Sequence, residues 1–72
     1  MEKLKALRLK YEAQVASAII NLDNYKQNAV GVAEHPDIIS SMDSLIGEIA
    51  EAREKLEVVE ELMDQATRLE YE

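Results

Sequence analysis

Apolar residues recur along the second half of this chain at alternating steps of four and three: Ile38, Met42, Leu45, Ile49, Ala52, Leu56, Val59, Met63 and Ala66. Such a step keeps side chains on one side of an α-helix and forms a heptad seam. The first half carries a matching line of Leu4, Tyr11, Val15, Ala18, Leu22, Tyr25, Ala29 and Val32, with Arg8 the one charged residue on it. Breakers lie between the two lines. Gly31 can take the left-handed conformation that ends a helix. Pro36 suits a first helical position, with Asp37 beside it near the positive end of the dipole and His35 as the cap. The pattern predicts one domain spanning 1–72: a helix over about 2–30, a turn over about 31–35 and a helix over about 36–70.

A short connection makes consecutive helices antiparallel neighbours. Folding the chain about residues 33 and 34 sets Tyr25 against Met42, Leu22 against Leu45, Ala18 against Ile49 and Val15 against Ala52. Further along, Tyr11 meets Leu56 and Leu4 meets Met63. Small residues thus oppose large ones, as close helix packing requires. The expected fold is all-α, an antiparallel hairpin of two long helices. Ser40–Ser44, "SSMDS", and Gly47 are poor helix formers, so a kink or a late start of the second helix stays open there.

One seam does not use up the apolar residues. Ala6, Leu9, Ala13, Ala16 and Ile20 form a second line on helix 1, nearly opposite the first. On helix 2, Val58, Leu62 and Leu69 lie off the seam, as do Ile39 and Ile46. A helix with two apolar faces is normally buried on both. Ordering a residue costs roughly 1.5 kcal/mol, which one seam is poorly placed to offset over a whole chain. The expectation is therefore self-association, most simply a homodimer of hairpins making a four-helix bundle. Its interface would be drawn from Leu9, Ala13, Ala16, Ile20, Val58, Leu62 and Leu69; the near-opposite lines on helix 1 leave a tetramer open.

Composition agrees with long helices. The 72 residues include two glycines, one proline, no cysteine, and neither Phe nor Trp. No disulfide or thiolate metal site can therefore reinforce so small a core. Charge adds an orientation. The net charge is −7, but residues 1–33 hold five basic and three acidic side chains, and residues 34–72 hold three basic and twelve acidic ones. Lys3, Lys5, Arg8 and Lys10 begin helix 1, while Glu57, Glu60, Glu61 and Asp64 lie late in helix 2. Each cluster sits at the unfavourable end of its own helix dipole, and antiparallel pairing brings the two side by side. Arg8 is expected to lay its stem along the core and reach Glu57 or Glu60. An acidic chain is repelled by phosphate backbones and anionic lipids, so neither nucleic acid nor membrane is an expected partner. The N-terminal segment has no 18-residue apolar run and no small-residue cleavage site, which points to the cytoplasm.

The candidate chemistry is thin. His35, Pro36 and Asp37 form the tripeptide by which J-domain co-chaperones engage their partner, but Lys26 is the only basic residue in the "NLDNYKQNAVGVAE" before it and Ile38 stands where a lysine is usual. The tripeptide reads as punctuation between helices. Glu48, Glu51, Glu54 and Glu57 step by three and avoid the seam, which is the pattern of a solvated face. Helical di-metal sites want Glu-x-x-His, and His35 is the lone histidine. Small RNA-binding hairpin dimers such as the plasmid copy-number regulator share the layout, but they need a basic face that is missing here. No catalytic residue, metal or cofactor is expected.

The stretch "VGVAEHPDIISSMDSLIGEIAEAREKLEVVEEL" resembles short two-helix proteins of unknown activity encoded by marine cyanophages, which carry a similar Gly-x-x-Glu-His-Pro-Asp turn. The matching residues are Gly31, Glu34, His35, Pro36 and Asp37, with the acidic helix behind them. The resemblance implies a phage accessory protein acting in a bacterial cytoplasm. Together these readings predict a non-enzymatic scaffold or accessory protein that works by self-assembly and protein–protein interaction. The alternative is an adaptor or inhibitor that binds a larger host protein through the second apolar face of helix 1.

Overall fold

A computed structural model of the chain describes residues 2–27 and 37–71, leaving aside the side chains of 27 and 69–71. It contains two α-helices, α1 (Glu2–Gln27) and α2 (Ile38–Tyr71). They pack against each other as a helical hairpin. Gly31, His35 and Pro36, expected in the turn, lie outside the described residues, as do Ala29 and Val32.

Among the described residues, Asp37 stands at the start of α2. The Ser41 N–H donates to the Asp37 carbonyl at 2.9 Å, the first bond of the helical ladder. Asp37 is therefore the half-in N-cap residue, and the described helix runs from Ile38. A carboxylate is among the preferred N-caps because it can accept from the orphan N–H groups of the first turn. Beyond it α2 is unbroken through "SSMDS" and Gly47 to Tyr71, so there is no late start. Ile38, Met42, Leu45 and Ile49 anchor this weak stretch to α1, and packing of an apolar face outweighs modest losses of propensity. Farther along, the Thr67 hydroxyl donates to the Met63 carbonyl at 3.0 Å, the usual way a helical threonine satisfies its side chain.

The seam sets the packing. Ala18, Ile38, Ile49, Ala52 and Val59 are buried. Leu4, Tyr11, Val15, Leu22, Tyr25, Met42, Leu45, Leu56 and Met63 are half-buried, together with Arg8, Ser41 and Ala66. Ala52 is only 1% exposed and Ala18 only 3%, so the most completely covered positions of the seam are small ones. The helices run antiparallel. Leu4, Leu7 and Tyr11 near the start of α1 share one groove with Val58, Val59 and Leu62 late in α2. Ser17 and Ala18 share the next groove with Glu48 and Ala52.

The result is a rod of 59 × 14 × 14 Å. Its radius of gyration is 16.9 Å, against about 11 Å for a compact domain of the same length. Two helices side by side cannot enclose an interior, and the five buried apolar residues form a line rather than a core.

Candidate interaction surface

The structure divides the named residues into an inner line and an outer set. The outer set begins on α1. Leu9 is 64% exposed and Ile20 61%, and Ala6, Ala13 and Ala16 between and beside them are also exposed. They follow one line along α1 outside the seam, with Ala13 at the edge of the groove that Glu48, Glu51 and Ala52 line from α2. On α2, Val58 and Leu62 are 48% and 44% exposed at the rim of the groove that also holds Leu4, Leu7 and Tyr11. Ile39 and Ile46 are exposed on the opposite flank of α2. Leu69 lies within α2, but its side chain is not among the described ones. The outer residues therefore form three patches: the back of α1, the groove rim, and the flank of Ile39 and Ile46.

Two exposed apolar residues escaped the reading of the sequence. Leu7 and Ile19 stand on the shoulders of α1, between the inner line and the outer line. Their signal was present: with them α1 has large aliphatic residues on its front, back and both shoulders.

Polar contacts do little to join the helices. The ion pairs among the described residues are Arg8–Glu12 at 3.8 Å, Lys26–Asp23 at 4.0 Å, Lys55–Glu51 at 3.1 Å and Arg68–Asp64 at 3.0 Å. Each lies within one helix, three or four residues apart, and exposed pairs of this kind are worth about 0.3–0.5 kcal/mol. Arg8 thus turns to Glu12 on its own helix, not to Glu57 or Glu60 across the seam. A partner one turn along the same helix is held in reach by the backbone, whereas a cross-helix partner requires two long side chains to be ordered. The cross-helix polar contact runs the other way: the Lys55 ammonium of α2 stands 5.5 Å from the centre of the Tyr11 ring of α1. Glu51 holds the same ammonium, so Lys55 ties an acidic rim to an aromatic seam residue.

Among the described residues, two grooves run along the joint between the helices. One, of about 550 Å³, has Lys10, Gln14, Ser17, Glu48, Glu51 and Lys55 around Ala13, Ala18 and Ala52, and it lies open along the rod. Among the described residues no three His, Cys, Asp or Glu side chains converge to hold a metal ion. No helix of the described residues is long and apolar enough to cross a membrane. Comparison with protein-family models, with curated proteins and with solved structures found no match.

Proposed function

We propose that the chain is a non-enzymatic assembly module: a helical hairpin that pairs with a copy of itself into a four-helix arrangement and works by protein–protein interaction. The observation that carries this reading is the back of α1, where Leu9 and Ile20 stand well exposed on an otherwise alanine-lined face. Burying a Leu or Ile side chain is worth about 1.5–3 kcal/mol, and this hairpin leaves that stabilisation unused. Area supports the same reading. The chain exposes 5708 Å², against about 4500 Å² for a compact monomer of 8.1 kDa. The surplus of roughly 1200 Å² exceeds the about 800 Å² that each partner brings to a standard interface. The likeness of residues 31–37 to the cyanophage turn fits a small accessory protein that acts by assembly.

The test is mass. Light scattering coupled to size exclusion at micromolar concentration is expected to give twice the chain mass. Leu9→Glu with Ile20→Glu is expected to bring it down to the single-chain value. A fully helical wild-type monomer refutes self-association and favours a helix lent to a larger partner. An unchanged dimer in the double variant moves the interface off the back of α1.

A further inference from the structure

The back of α1 has a symmetry that specifies how two copies meet. Leu9, Ala13, Ala16 and Ile20 are spaced four, three and four residues apart, so the line reads the same from either end. A two-fold interface uses the same patch on both partners, each residue meeting its complement across the axis. We infer that two hairpins join back to back through α1, antiparallel about a two-fold axis between Ala13 and Ala16, with Leu9 of each copy against Ile20 of the other. This rests on the self-association proposed above and adds its partner face, direction and register. The alanines at the centre let the helix axes approach to about 8 Å, the near end of the packing range. Leu9 and Ile20 close the two ends, and α2 lies on the outside of each copy.

Charge selects both the face and the direction. Each copy carries −7, concentrated in residues 34–72. The outer side of α2 presents Asp43 and Glu61, both exposed, so pairing through α2 sets acids against acids. Pairing through α1 keeps the acidic helices apart and joins the chains where net charge is slightly positive. Direction follows from Lys5 and Asp23. Both are exposed, and both stand on the same shoulder of the apolar line, Lys5 before Leu9 and Asp23 after Ile20. An antiparallel two-fold places Lys5 of one copy beside Asp23 of the other, twice by symmetry. A parallel two-fold puts these shoulders on opposite sides of the joint and makes no Lys5–Asp23 pair. Within its own helix Asp23 holds Lys26 only at 4.0 Å, which leaves its carboxylate able to accept a closer partner.

The chain has no cysteine, so single introduced thiols report the geometry without background. Leu9→Cys and Ile20→Cys chains are each prepared alone and then mixed, and treated with a short bis-maleimide. The expected result is efficient cross-linking in the mixture and little in either alone, because like positions lie about 16 Å apart along the axis. Cross-linking of Leu9→Cys with itself overturns the antiparallel arrangement. Dimeric mass without cross-links in any sample overturns the α1 interface while leaving self-association intact. Monomeric mass of the wild-type chain overturns both. Independently, Lys5→Glu should weaken association roughly tenfold, since two exposed attractive pairs become repulsive. Adding Asp23→Lys should restore it; failure to restore refutes the register.

Discussion

The two helices draw on similar residues but distribute them differently. Helix α2 has an inside and an outside: Ile38, Ile49, Ala52 and Val59 are buried, while Asp43, Gly47 and Glu61 are exposed. Helix α1 has an inside and a mixed outside, where exposed Lys5, Lys10, Glu12 and Asp23 flank a second apolar line. Its inner line ends in the same kind of contacts, but Leu9, Ala13, Ala16 and Ile20 back onto solvent and Leu7 and Ile19 stand on its shoulders. An amphipathic helix is satisfied by one neighbour, and a helix with a second apolar face is not. In this hairpin α1 leaves a line of apolar residues uncovered, and α2 leaves Ile39 and Ile46 uncovered on one flank and Val58 and Leu62 on the groove rim. The ion pairs reinforce the contrast, because each stays within its own helix and adds nothing to the joint between them.

The strongest way to break this comparison lies within α2. Ile49 is 9% exposed and Ile46, one turn earlier, is 52% exposed. Ile49→Ala should cost about 2–5 kcal/mol, from lost transfer energy and the cavity left against α1. Ile46→Ala should stay within about 1 kcal/mol, because its side chain is already half in water. Urea unfolding followed by circular dichroism measures both. Protein concentration must be held fixed, because an associating chain gains apparent stability by mass action. Equal losses at the two positions would mean that the flank of α2 is also covered, and the reading of Ile46 as uncovered would fall.

A smaller effect separates the two kinds of alanine. Ala52 is buried in the seam, and Ala52→Leu should cost about 1–3 kcal/mol by overpacking it. Ala13 is exposed on the back of α1 and leucine is nearly as good a helix former, so Ala13→Leu should leave the hairpin folded. If α1 faces a copy of itself, the added bulk at the centre of that face should weaken association while helicity is kept. Sedimentation of the two variants reads the difference directly.

The hairpin is legible in the sequence because two-helix packing depends on little besides side-chain spacing. The positions from Ile38 to Ala66 at steps of four and three include four of the five buried apolar residues, with Ala18 supplied by α1. Details that depend on competition between local options were not legible. Pro36 and Asp37 both suit a helix start, and the hydrogen bond from Ser41 gives the N-cap to Asp37. Register pointed Arg8 at Glu57 or Glu60, yet Glu12 lies one turn away on the same helix. Leu7 and Ile19 were missed because a reading in terms of two opposite lines has no place for shoulder positions. The Lys55–Tyr11 contact was missed because charge counting pairs bases with acids and overlooks an aromatic ring on the seam.

The mildest test probes the outer side of α2. Gly47 sits in mid-helix, and a methyl group built on it would meet nothing within 4 Å. The described residues include no glycine with positive φ, so alanine fits the backbone as it stands. Gly47→Ala should therefore stabilise the chain by about 0.5–1 kcal/mol, since glycine loses more freedom than alanine when held in a helix. For a domain of this size 1 kcal/mol moves Tm by about 4–8 °C. The gain should come with no change in mass, because α2 turns this side to solvent if copies meet through α1. A stabilised variant that dissociates would show that another chain approaches closely at Gly47, and the pairing would have to be rebuilt around α2.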